Sequence, residues 1–246
     1  SKRVSRPTQV TREGPGTGSL PRVRARNPIT SGCPGYGGSM EPRTRTMWEK
    51  QNAHDGDRRR LFVAVRDHLG DGPVLYPGSY VDIAASMAFA SVTYVDVDDR
   101  AAAFFRDASG IAEIVRAGGG DVDAGVTFIH SDYTMDLDLP DESFDLLVSL
   151  YAGFVSEACT MYLSIGGTLL VAPSHGDVAM AALDPRYELT GVVVSRSGDY
   201  HVVVAELDTY LIPVKPLTIS AEYLHEWGRG IRYTRSPFAY LFTRRA

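Results

Sequence analysis

Four short segments of this sequence combine acids, small residues and aromatics in a way that could do chemistry. They are Tyr76-Pro77-Gly78-Ser79-Tyr80-Val81-Asp82, Asp96-Val97-Asp98, Ser131-Asp132-Tyr133 and Ser149-Leu150-Tyr151. A glycine turn lets a backbone approach a ligand closely. An acid on the neighbouring strand accepts hydrogen bonds from ribose hydroxyls, and a third can accept from the amino group of a base. The set suits a nucleoside. Other chemistries find little support. The six histidines show no HxH or HExxH spacing, and His225-Glu226 lacks the second histidine of a metalloprotease helix. Cys33 and Cys159 lie far apart with no CxxC partner, so neither a disulfide framework nor a metal site is expected. Gly14-Pro15-Gly16-Thr17-Gly18 follows no strand and is broken by Pro15, which rules it out as a phosphate loop. No GxSxG elbow is present.

The positioning elements follow from hydrophobic periodicity. Leu61, Val65 and Leu69 recur at helical spacing beside Arg58, Arg59, Arg60 and Arg66, and Gly70 stops that helix. Pro73–Tyr76 then reads as a strand, followed by a helix over 82–90. Val92–Val97 is a second strand, with Asp98 or Asp99 capping a helix at Ala101–Phe105 that breaks at Ser109-Gly110 and resumes over Ile111–Ala117. Val126–His130, Phe144–Leu150 and Gly166–Ala172 are further strands, with a helix over Val155–Leu163. Strands as short and continuously apolar as these are buried on both faces, and their alternation with helices predicts a parallel sheet covered on both sides. The tail changes character. Two valine-rich runs flank Arg196-Ser197-Gly198-Asp199 and predict a hairpin, Thr218–Trp227 reads as a helix and Phe238–Thr243 as a last strand. In such a sheet ligands bind beyond the carboxyl ends of the strands, where all four segments fall.

Composition sets the frame. The chain has 246 residues with 44% hydrophobic content and a net charge of -5. That average hides a split, because residues 1–60 carry 13 Lys+Arg against 5 Asp+Glu while the rest is acidic. The basic head, 1–46, is rich in Gly and Pro and lacks apolar periodicity, so it is expected to be a disordered extension of a domain spanning 47–246. Met40 and Met47 are candidate natural starts. The scattered arginines of the head have no interleaved aromatics, and nucleic acid is not expected as a partner. No apolar run approaches membrane-spanning length and no secretory leader is visible, so a cytoplasmic protein with a small-molecule ligand is expected.

Residues 57–173 resemble the class I S-adenosyl-L-methionine (SAM)-dependent methyltransferases. The match runs in order through GPVLYPGSYVDIA, SVTYVDVDDRAAAFF, FIHSDYTMDLDLPDESFDLLVSLYAGF and LSIGGTLLVAP, with LPDESFDLLVS followed by YLSIGGTLLV its most specific part. The resemblance implies an α/β, Rossmann-like fold: a mostly parallel seven-stranded sheet with helices on both faces and an antiparallel C-terminal hairpin. It also implies SAM as cofactor and methyl transfer to an unidentified, small-molecule acceptor. By position, Gly78 would line the methionine part, with Tyr76, Ser79 and Asp82 of the same turn as further cofactor-binding residues, Asp96 on the ribose and Val97 and Asp98 beside the adenine. Asp132 would meet the adenine amino group, with Tyr133 beside it as a further cofactor-binding candidate, and Ser149 to Tyr151 would line the pocket between cofactor and acceptor. No metal and no catalytic residue is implied, although Tyr151 and His175 are candidates for the acceptor side.

The first segment departs from the family. Tyr76 and Pro77 stand where an acid and its neighbour are usual, and Tyr80 and Asp82 replace the later glycines. Either Asp82 substitutes for the missing acid in a turn of another shape, or the cofactor pocket is partly lost. The Tyr80 ring must swing outward or fill the methionine site. The alternative function is therefore a non-catalytic binding or scaffold protein with a methyltransferase fold. A nicotinamide-dependent oxidoreductase shares the strand-end geometry but would need a GxGxxG turn that is not here. Plainer roles stay open for single residues. Asp96 and Asp98 can end a strand and cap a helix, Asp132 lies in a loop made acidic by Asp136, Asp138, Asp141 and Glu142, and the tyrosines can be half-buried aromatics.

Overall fold

The computed structural model describes residues 29–30 and 39–246, apart from residues 55 and 122. The expected disorder of the basic head therefore falls largely outside the described residues. Within that segment Ile29–Thr30 forms a short strand, β1. Helix α1 spans Pro42–Gln51, so regular structure starts earlier than the helical spacing near Asp57 indicates and crosses the boundary drawn at residue 46. Pro42 supplies the signal, since proline is pre-organised for a first helical turn.

Helix α2, Asp57–Leu69, follows, ending at Gly70, whose N–H bonds the Arg66 carbonyl. The parallel strands are β2 (Val74–Pro77), β3 (Ser91–Asp96), β4 (Gly125–His130), β5 (Phe144–Ser149) and β6 (Leu163–Val171). Helices α3 (Asp99–Arg106) and α4 (Ala108–Ala117) lie between β3 and β4, and α5 (Val155–Cys159) lies between β5 and β6. The break between α3 and α4 falls at Asp107 rather than Ser109-Gly110, because the Asp107 carboxylate accepts the Gly110 N–H at 2.8 Å and caps α4. After β6 come α6 (Asp177–Leu183), the hairpin β7 (Tyr187–Arg196) and β8 (Asp199–Val203), α7 (Ala221–Trp227) and β9 (Ala239–Arg244). The hairpin turns where predicted, with positive φ at both Ser197 and Gly198 as a tight primed turn requires.

One expected helix is not an α-helix. Residues 82–90 hold only a 3-10 turn, Ala84–Met87. The buried Tyr94 hydroxyl braces that turn: it receives the Ser86 N–H at 3.0 Å and donates to the Ile83 carbonyl at 3.1 Å, the same two groups that bond each other at 3.0 Å in the i to i+3 pattern.

The strands form one sheet in the order β1-β4-β3-β2-β5-β6-β9-β7-β8. The fold is α/β and Rossmann-like as expected, with five parallel strands and an antiparallel C-terminal portion, but the sheet has nine strands among the described residues rather than seven. Two features were not visible in the sequence. Strand β9 inserts between β6 and β7, antiparallel to both, and β1 adds an antiparallel edge on β4. Helices α1–α4 cover one face, where Phe62, Tyr76, Tyr94, Phe105 and Phe128 form a chain of ring contacts at 4.5–5.9 Å. Helices α5–α7 cover the other face. No helix among the described residues is long and apolar enough to cross a membrane. Strand order reverses between β2 and β5, and the C-terminal ends of β2–β6 lie along one edge.

Candidate active site

The turn after β2 is built by backbone bonds to β3. Gly78 donates its N–H to the Val95 carbonyl at 2.8 Å, and Tyr80 donates to Asp96 Oδ2 at 2.7 Å. The other carboxylate oxygen of Asp96 accepts from the Asp98 N–H at 2.8 Å. Asp96 thus fixes both the turn and the start of the next loop, yet each oxygen keeps a second lone pair. Gly78 has φ of +64° and Tyr80 +50°. A Cβ on Gly78 would stand 2.6 Å from the Ala152 Cβ, so glycine is needed here for the approach of the chain itself. The Tyr80 ring leaves the turn toward α3, where the Arg100 guanidinium lies 5.4 Å from its centroid.

Tyr76 and Asp82 face inward. The Tyr76 hydroxyl donates to Asp82 Oδ2 at 3.0 Å, the Ala84 N–H reaches Asp82 Oδ1 at 3.2 Å, and Arg58 Nε of α2 stands 3.7 Å from Oδ2. Burial pushes the Asp82 carboxyl up, against the pull of Arg58. Burial also raises the Tyr76 phenol, and the Asp82 charge adds to that shift. Around Arg58, burial favours the neutral form but Tyr76, Asp82 and Tyr151 outweigh it, so the guanidinium is held charged. The centroids of the Tyr151 and Phe238 rings lie 4.7 and 5.7 Å from its central carbon. Two polar atoms here are buried without a partner, Arg58 Nη1 and Ser79 Oγ.

The ends of β3 and β4 are open. Val97 is 62% exposed. Asp98 caps α3 through the Arg100 N–H at 2.7 Å, and hydrogen bonds from Arg100 lower its carboxyl to about 2. Asp132 is exposed, and its Oδ1 accepts from the Thr134 N–H and hydroxyl at 2.9 and 2.8 Å. The Tyr133 hydroxyl instead reaches across to the loop after β5, accepting the Gly153 N–H at 3.1 Å.

Sequence reasoning missed the residue that ties the next two strand ends together. Asp177, at the start of α6, is buried; it accepts from Ser149 Oγ at 2.5 Å and from the Ser156 hydroxyl and N–H. Burial pushes its carboxyl up to about 6 even against these donors. The signal was Gly176-Asp177 after an apolar strand, since Gly176 takes φ of +92° and the acid falls in the first helical turn. Nearby, His175 Nδ1 lies 2.8 Å from Ser174 Oγ. Arg58 and Phe238 were also missed, because nothing local in an arginine run or before a last strand says where they point. The expected residues thus fall into two groups: Tyr76, Gly78, Ser79, Asp82, Tyr133, Ser149 and Tyr151 around the β2–β5 reversal, and Asp96, Val97, Asp98 and Asp132 along β3 and β4. Among the described residues no group of three or more His, Cys, Asp or Glu side chains could hold a metal ion. Burial raises the Cys159 thiol to about 12, which leaves it unreactive.

No protein-family model matches the chain, and no curated protein sequence does either. Solved structures do resemble it. A SAM-dependent methyltransferase from Thermotoga maritima is 16% identical, covering 82% of this chain and 98% of its own, with a TM-score of 0.40. An O-methyltransferase from Bacillus cereus, in complex with S-adenosylhomocysteine, is 11% identical over 67% of this chain and 89% of its own, at 0.43. A tRNA (m1A58) methyltransferase from Aquifex aeolicus is 14% identical over 76% and 68%, at 0.40. Other matches span as little as 51% of the related chain. At these identities the likeness concerns fold alone.

Proposed function

We propose that this chain binds SAM at the carboxyl edge of the sheet and transfers its methyl group to a small-molecule acceptor. The observation that carries the reading is Asp96. Its carboxylate is fixed by two backbone amides beside the strand-order reversal, with one lone pair on each oxygen left for ribose hydroxyls. The donor set is compatible with the rest of the cofactor. The Tyr80 ring lies against Arg100 rather than over the turn, and Ser79 Oγ is a buried polar atom that lacks a partner. When bound, SAM supplies an already activated methyl group, so the protein needs chiefly to position the acceptor and exclude water. Tyr151 and Phe238 would wall the acceptor side, and the Asp177 tie holds the loops after β5 and β6 in fixed relation.

Calorimetric titration with SAM and S-adenosylhomocysteine tests this. Micromolar binding, about -8 kcal/mol, is expected, and Asp96→Ala should weaken it by about 1–3 kcal/mol. A second reading, a non-catalytic binding or scaffold protein, is favoured by Ala152 packing onto Gly78 and by the 3-10 turn that replaces a helix after β2. Absence of binding to either adenosyl compound would select it.

A further inference from the structure

The Arg58 guanidinium is held by features that a purely structural arginine does not need. Asp82 approaches its Nε only at 3.7 Å, the Tyr151 side chain is hydrogen-bonded to the guanidinium, two aromatic rings lie within cation–π range, and Nη1 alone is buried without an acceptor. A stranded buried donor of this kind costs free energy that an arriving anion would return, and a planar guanidinium matches a carboxylate through paired N–H bonds. Ser79 Oγ, on the turn whose carbonyl accepts the Asp82 N–H, is the other orphan. The place matters as much as the charge. Tyr151 follows β5 and Phe238 precedes β9, so Arg58 stands on the side of the reversal away from Asp96, Asp98 and Asp132. That side is left for an acceptor if the adenosyl group takes the β3–β4 side. Tyr151 is 54% exposed and sits on a loop, so its ring can shift to open a path to Nη1 while still presenting a face to the ligand.

We infer that the acceptor is an aromatic carboxylate, its anionic group paired with Arg58 and its ring lying against Tyr151 and Phe238. This rests on the methyltransferase reading for the word acceptor, but the anion site can be tested without it. Purified protein is titrated with benzoate and phenylacetate, and with the neutral isosteres benzamide and phenylacetamide. At least one carboxylate should bind saturably and about ten-fold or more tighter than its amide. Arg58→Met should abolish that preference. Arg58→Lys, which keeps the counter-charge for Asp82 and safeguards folding, should reduce it, and Tyr151→Ala should weaken carboxylate and amide alike. Equal binding of carboxylate and amide, no binding of either carboxylate, or a preference unchanged in the Arg58 variants overturns the proposal. A final arm compares S-adenosylhomocysteine with 5′-methylthioadenosine, which lacks the amino-acid carboxylate. If Arg58→Lys closes the gap between those two, the anion belongs to the cofactor, and the acceptor assignment falls. If neither nucleoside binds, the methyltransferase reading fails while the benzoate result still decides the anion site.

Discussion

The two halves of the sheet's carboxyl edge use charge in opposite ways. At the ends of β3 and β4 the acids are half-exposed or exposed, each served by a nearby amide or hydroxyl: Asp96 by Tyr80 and Asp98, Asp98 by Arg100, Asp132 by Thr134. At the ends of β2, β5 and β6 they are buried and tied to other buried groups, Asp82 to Tyr76 and to Arg58 of α2, Asp177 to Ser149 and Ser156. Solvated acids with local partners cost little and can be lent to a ligand. Buried ones hold the framework, and their removal leaves other buried groups unpaired.

The largest test of that contrast is Asp177→Ala. Three donors from two residues lose their acceptor in a dry setting, and a loss of about 3 kcal/mol in urea unfolding is expected; a loss below about 1 kcal/mol would put Asp177 with the replaceable acids. Its titration sharpens the point. The folded carboxyl lies near 6 against an ordinary value of 3.8, so between those values the folded state holds a proton that the unfolded state has released. Stability should therefore rise as pH falls from 7 toward 4, by at most about 3 kcal/mol. Asp177→Asn should flatten that slope, leaving the contribution of Asp82, whose shift has the same direction.

Next in size is Gly78→Ala. It places a methyl 2.6 Å from the Ala152 Cβ and forces alanine to φ of +64°, for a destabilisation of about 2 kcal/mol, readable as a lowered thermal midpoint. A neutral result would mean that the loop after β5 yields easily, and that the β2–β5 crevice opens. On the open half, Asp98→Ala removes a helix cap and should cost only about 1 kcal/mol, with adenosyl-ligand affinity little changed. Tyr80→Gly is expected to have the smallest effect. Relief of positive φ offsets the lost ring contact with Arg100, so stability should move by less than about 1 kcal/mol. A gain of ten-fold or more in S-adenosylhomocysteine affinity would show that the ring obstructs the site after all.

The sequence carried the parallel half of the sheet well, because strands buried on both faces are short apolar runs bounded by turns, as at Leu146–Ser149 and Thr168–Val171. It also carried the hairpin, through Ser197-Gly198. The false helix over 82–90 was a tertiary override: the pattern is adequate for a helix, but one tyrosine hydroxyl from β3 shares the Ser86 amide and the Ile83 carbonyl and braces the tighter 3-10 turn. Among site residues, those beside strand ends were legible because the fold class dictates where ligands go. Asp96 and Asp98 could be located but not told apart, since cap and ligand acid look alike in sequence. Arg58, Phe238 and Asp177 gain their meaning only from contacts across the sheet.

The insertion of β9 has a consequence for how the molecule is made. Strand β6 emerges from the ribosome long before Ala239–Arg244, and until that segment arrives its outer edge offers unpaired amides and carbonyls to any passing strand. The β7–β8 hairpin can close locally in the meantime, yet among the described residues its one neighbour in the sheet is β9, so it must wait for that strand to join. The nascent chain must hold a half-built sheet open and then thread its last strand between two earlier pieces. Pairings such as Thr168 with Thr243, far apart in the chain, are therefore expected to form late, and the interval before them leaves an open strand edge of the kind that favours aggregation.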